Sequence, residues 1–115
     1  MLLSKRSIEP FKGFWHFPGG GIYYREKMEE SVQRVAKTEL GVRVILEKFL
    51  GYFENTKDGY RHSISLVFKC KILGKKDPKP LEQASEIKFF DKLPKKIVPK
   101  HKQFIIEHLK NFSPS

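Results

Sequence analysis

GGIYYREKMEESVQRVAKTELGV, running from Gly20 to Val42, decides how this 115-residue chain folds. Pro18 and Gly19 precede it, so a proline and three consecutive glycines interrupt the aromatic run Phe14-Trp15-His16-Phe17. A short aromatic strand stopped in this way reads as the entry to a helix. Lys27 to Leu40 holds no Pro or Gly, and Met28, Val32 and Val35 recur at the spacing of one helical face. Gly41 is placed to end that helix. Glu39 falls on the same stripe, which sets a carboxylate among core positions. Burial of an unpaired carboxylate is costly, so Glu39 is expected to be protonated, paired with a cation or bound to a metal ion. The glycines ahead of the helix form a backbone that can approach a phosphate closely.

Working outward, Leu2-Leu3-Ser4-Lys5-Arg6 reads as the end of a strand, and Glu9-Pro10 and Gly13 as a loop. Val42 to Phe53 predicts one bent strand or two short ones around Gly51. Asn55 to Gly59 predicts a turn, and Tyr60 to Leu73 a long returning strand. Gly74 to Pro80 is a surface loop, Glu86 to Asp91 another strand, and Gln103 to Leu109 a closing helix with Phe104, Ile105 and Leu109 apolar. This order predicts one α+β domain spanning residues 1–115, with helices on a mixed or antiparallel sheet. The length has room for one core.

Composition narrows the function classes. Apolar residues make up 39% of the chain and charged residues 31%, which excludes general disorder. The 23 Lys and Arg against 13 Asp and Glu give a net charge of +10, a surface suited to phosphorylated or other anionic partners. The lysines of Lys69–Lys79 and Lys92–Lys102 read as solvated loops and strand ends. Without an arginine-rich helix or paired aromatic platform they argue against a nucleic-acid groove. Cys70 is the only cysteine and reads as a core thiol. No segment approaches about 18 consecutive apolar residues, so the expectation is a soluble, cytoplasmic protein without membrane contact. His16, His101 and His108 lack ligand spacing and neighbouring acids, which argues against zinc. Trp15 reads as core.

The segment Gly20 to Val42 resembles the Nudix box. That motif is a glycine, a glutamate after five intervening residues, an arginine after seven more, and a closing pattern that carries further glutamates, a glycine and an aliphatic residue. Gly20, Glu26, Arg34, Ala36, Glu39, Gly41 and Val42 occupy motif positions, whereas Val35 and Thr38 stand where the family has glutamates. With Gly13-Phe-Trp15-His-Phe-Pro18-Gly-Gly ahead of it, the segment looks like the GDP-mannose mannosyl hydrolase branch, which lacks the same two glutamates. Glu86 to Pro94 resembles the late strand and Leu-Pro turn of Nudix domains.

The resemblance implies a Nudix fold, a mixed sheet sandwiched by helices, here short of the usual N-terminal strands. Such a loss would leave a sheet edge for a partner chain to cover, and it keeps a homodimer open. The resemblance further implies a hydrolase that carries one Mg²⁺, replaceable by Mn²⁺, on Glu39 and the Gly19 carbonyl. In its terms His62 is the general base, Arg6 neutralises the departing diphosphate beside Gly20 and Gly21, and Arg34 orients the loop and helix. Read from the residues alone, Arg34 can equally pair with Glu30 four positions earlier, and Glu26 can serve helix-start electrostatics or pair with a base. The implied substrate is a small nucleoside diphosphate derivative such as a nucleotide sugar. Pyrophosphate cleavage and a noncatalytic nucleotide- or RNA-binding role are the alternatives.

Overall fold

A computed structural model describes residues 1–58, 61–81 and 83–109. Its elements are β1 (Leu2–Arg6), β2 (Trp15–His16), α1 (Met28–Leu40), β3 (Arg43–Asp58), β4 (Arg61–Leu73), β5 (Ala84–Phe89) and α2 (Pro99–His108). Among the described residues, β2, β1 and β5 form one antiparallel sheet in that order, and β3 and β4 form a second. The mixed character expected of the sheet is limited to one parallel bridge, Trp15 to Ile97. No helix among these residues is long and apolar enough to cross a membrane.

Helix α1 starts and stops as its sequence dictates. Glu30 Oε1 accepts a hydrogen bond from the Lys27 amide at 3.2 Å, satisfying one amide at the start of the helix. Gly41 adopts φ 67°, a left-handed conformation cheap only for glycine, and its amide bonds the Lys37 carbonyl. The buried face is rotated from the expected stripe. Ser31, Ala36 and Leu40 are buried, whereas Met28 is 47% exposed. Two surfaces flank the helix and share the stripe between them: Ala36 and Leu40 pack with Val42 and Val44, while Val35 Cγ2 turns toward Gly20.

Strand β1 divides the core. Leu2 joins the α1 side with Val32, Cys70, Ile72 and Ile87, and Leu3 joins Trp15, Ile97 and Ile105 on the α2 side. The period of two along a strand puts adjacent leucines on opposite faces, so the short strand is sandwiched between helical layers. It pairs with β2 on one side and β5 on the other. Cys70 is part-buried, and burial, followed by the charge of Glu47, pushes its thiol pKa up.

The aromatic strand is shorter than the run Phe14 to Phe17 suggests, because only Trp15 and His16 have β1 opposite them. Downstream, β3 continues unbroken through Gly51 and through most of the expected turn to Asp58, with shifts of register at Leu46/Lys48, Phe49/Gly51 and Asn55/Asp58. Such irregularities absorb bends without ending a strand. Gly59 and Tyr60, where the turn and the returning strand were expected to meet, lie outside the described residues. Helix α2 starts earlier than predicted because Pro99 suits a first helical turn. It rests on β3 where Gly51 has no side chain; a Cβ there would lie 3.0 Å from the His108 imidazole and 3.2 Å from Phe104.

Candidate active site

The glycine loop is fastened to α1 from its far end. Arg34 Nε donates to Glu26 Oε2 at 2.8 Å and Arg34 Nη2 to Glu26 Oε1 at 3.1 Å, a two-toothed pairing. The same Nη2 donates to the Gly21 carbonyl, and the guanidinium lies 3.7 Å from the centre of the Tyr23 ring. Glu26 also accepts from the Tyr23 amide at 3.0 Å. Hydrogen bonding from Arg34, followed by that from the Tyr23 amide, holds the Glu26 carboxyl below its usual pKa. The Glu30 carboxylate is engaged at the helix cap, where it accepts from the Lys27 amide. Gly20 packs close to Val35, where a Cβ would sit 3.2 Å from Cγ2, whereas Gly19 and Gly21 face open space.

The near end of the loop is held by residues that sequence spacing did not bring together. Phe17, next to Pro18, donates its amide to His101 Nδ1 at 2.9 Å and stacks on the same imidazole at 5.1 Å. His101 also meets Phe53 at 5.1 Å and His16 at 5.8 Å. His16 Nε2 lies 3.2 Å from the buried Ser4 hydroxyl. Burial, then the charge of Arg6, lowers the His16 pKa to about 4. Burial, then His16 and Arg6, lowers that of His101 to about 3. Both rings are accordingly neutral at physiological pH. Arg6 itself donates from Nε to the Pro10 carbonyl at 2.6 Å, and its charge acts on the layer beneath the glycine loop.

His62 stands on β4, part of the other sheet from Arg6, and its Nε2 lies 3.3 Å from Glu54 Oε2. Glu54 lines an open cleft of about 520 Å³ between β3 and α2, together with Tyr52, Lys100, Phe104, Glu107 and His108. Phe104 reaches back to Phe17 at 6.0 Å, so one aromatic layer separates the cleft from the glycine loop. Glu39 is part-buried in the last turn of α1, with its backbone carbonyl accepting from Leu81 at 3.2 Å. Of the predicted residues, the structure brings Glu26, Arg34, Gly20 and Gly21 into one unit, with Gly41 closing its helix. Glu54 and His101 were missed. The only available signal for Glu54 was its distance from His62 around the hairpin, and the register shifts blurred it. For His101 no local signal existed.

Oxygen donors dominate around the loop and helix, which suits a hard divalent ion. Among the described residues no group of three or more His, Cys, Asp or Glu gathers as a ready multi-ligand site. The Glu39 carboxylate and the loop carbonyls are oxygen ligands of the kind a hard divalent ion takes.

A glycine loop locked to a helix by an Arg–Glu pair, on a sheet with helices on both faces, defines a small phosphate-handling α+β domain. Residues 1–107 match the NUDIX domain model, and the chain belongs to the Nudix family. It is 34% identical over 113 residues to an ADP-ribose pyrophosphatase of Methanocaldococcus jannaschii, covering 96% of this chain and 66% of that protein. It is also 34% identical over 101 residues to the low-salt glycan biosynthesis protein Agl8 of Haloferax volcanii, covering 79% of this chain and 62% of that one. The chain thus spans about two-thirds or less of the length of these curated relatives. A MutT NUDIX hydrolase structure from Burkholderia pseudomallei superposes with a TM-score of 0.78 at 26% identity, covering 94% of this chain and 86% of the other.

Proposed function

We propose that the chain is a Mg²⁺-dependent hydrolase of a nucleoside diphosphate-linked sugar, such as GDP-mannose, that directs water to the sugar C1. The observation that carries this reading is the commitment of Glu26 to Arg34. Val35 and Thr38 stand in place of family glutamates, and Glu39 keeps the glutamate of the closing pattern, the carboxylate we assign to the ion. One ion, shared with the Gly19 carbonyl, would neutralise charge on the diphosphate leaving group. Arg6, whose charge is felt by His16 and His101, adds a permanent cation. His62, oriented by Glu54, accepts the proton of the attacking water. The water oxygen bonds to C1, the C1–O bond breaks, and the nucleoside diphosphate leaves with the bonding electron pair. The cleft between β3 and α2 falls within the range of small-molecule sites and has room for the rest of such a ligand.

A second reading, cleavage of the pyrophosphate, is favoured by the M. jannaschii relative named ADP-ribose pyrophosphatase. Hydrolysis of GDP-mannose and ADP-ribose in ¹⁸O-labelled water with Mg²⁺ separates the two. Label in the free sugar supports attack at carbon. Label in a phosphate-bearing product overturns that assignment and supports attack at phosphorus.

A further inference from the structure

The glycine loop has a second anchor that the box motif does not contain. Between Phe17 and Gly21 the chain offers a proline, which lacks an amide donor, and glycines without side chains to hold them in place. Of these glycines Gly20 alone would bring a Cβ near another residue, and Gly19 and Gly21 face open space. Such a segment is conformationally loose unless its ends are fixed. The far end is fixed through the Gly21 carbonyl, which Arg34 binds. The near end is fixed through the Phe17 amide, which His101 accepts at 2.9 Å.

We infer that His101 is a positioning residue for the diphosphate-binding loop, and that with Arg34 it forms a clamp from α2 and α1 on the two ends of Pro18–Gly21. The bond specifies a tautomer: because Nδ1 accepts from Phe17, the neutral ring carries its hydrogen on Nε2. Stacking on Phe17 and contact with Phe53 fix the plane of the ring, so Nδ1 remains aimed at the amide. The contact joins residues 84 positions apart, which makes the loop geometry depend on how α2 docks. A prearranged loop binds a diphosphate without first paying to order itself, and misplacement by about 1 Å can cost a hundredfold in rate.

The inference rests on reading the loop as diphosphate-binding, and its test therefore includes a measurement that needs no substrate. Amide hydrogen exchange is followed in the metal-free chain for wild type, His101→Phe and His101→Asn. Phe keeps an aromatic ring but has no acceptor, whereas the Asn side-chain oxygen can occupy the place of Nδ1. In His101→Phe the Phe17 amide, whose acceptor is lost, is expected to exchange about tenfold faster or more, and in His101→Asn at a rate near wild type. The α1 amides serve as a control for global opening and should exchange alike in all three. Unchanged Phe17 exchange in His101→Phe, acceleration matched by α1, or failure of Asn to restore protection overturns the inference. Turnover is then compared at saturating and limiting nucleotide sugar: a raised KM for His101→Phe, recovered in His101→Asn, is the functional counterpart. If exchange behaves as expected while no variant, wild type included, turns over any nucleotide, the clamp stands and the proposed function fails.

Discussion

Lowering the pH from 8 to 5.5 should destabilise this protein, because the unfolded chain charges two imidazoles that the native state keeps neutral. His16 and His101 start from an ordinary pKa of 6.5 and are held at about 4 and about 3 in the fold. The unfolded chain therefore binds more protons between these limits. Stability is fully present above pH 6.5 and is lost as the pH falls toward the folded values. At pH 5.5 each ring contributes a loss of about 1.4 kcal/mol, so the pair costs about 3 kcal/mol. With a urea dependence of about 1.5 kcal/mol/M, the unfolding midpoint should fall by about 2 M. The Glu26 pKa is shifted downward, away from this window. Equilibrium urea unfolding at the two pH values, followed by tryptophan fluorescence of Trp15, measures the difference. Replacing both histidines by Phe should flatten the dependence. A wild-type loss below about 1 kcal/mol, or the full loss persisting in the double variant, would refute the burial argument.

Three further outcomes follow from the site and the fold. Glu39→Gln should lower Mg²⁺-dependent turnover of a nucleotide sugar by about a hundredfold or more, because a neutral amide is a weaker ligand for a hard cation than a carboxylate. His62→Ala should reduce kcat by about a hundredfold while equilibrium dialysis shows nucleotide still bound, the loss typical of removing a general base. Gly51→Ala should destabilise the fold by about 2 kcal/mol in thermal or urea unfolding, since the new Cβ meets His108 and Phe104 and φ of 147° suits glycine alone.

How much of this was legible before the coordinates depends on the sequence separation of the interacting groups. Helix α1, its Gly41 cap and the option of a base pairing with Glu26 are local features, and spacing within a few turns reveals them. The buried face of α1 was misplaced because Met28 obeys the helical period yet meets neither neighbouring surface. The position of β1 between β2 and β5 could not be read from five residues, because its strand partner Phe89 lies far along the chain from Leu2. His101 illustrates the limit most clearly. Nothing in Lys100-His101-Lys102 distinguishes it from a solvated basic turn, and it acquires a partner only when α2 settles over Gly51 and Phe17. The roles expected of His62, Arg6 and Glu39 came from resemblance, and the structure adds a contact of 3.3 Å between His62 Nε2 and Glu54 Oε2.

The bond between Glu26 and Arg34 also bears on how signature patterns should be weighed. Two letters of the motif are occupied in building the scaffold, and a third, Gly41, simply lets the backbone turn. Selection for shape alone could preserve all three while the reactive letters drift, and Val35 and Thr38 stand where the family pattern has glutamates. Agreement with such a pattern thus measures inherited architecture first, and the chemistry must be read from the positions that architecture leaves over.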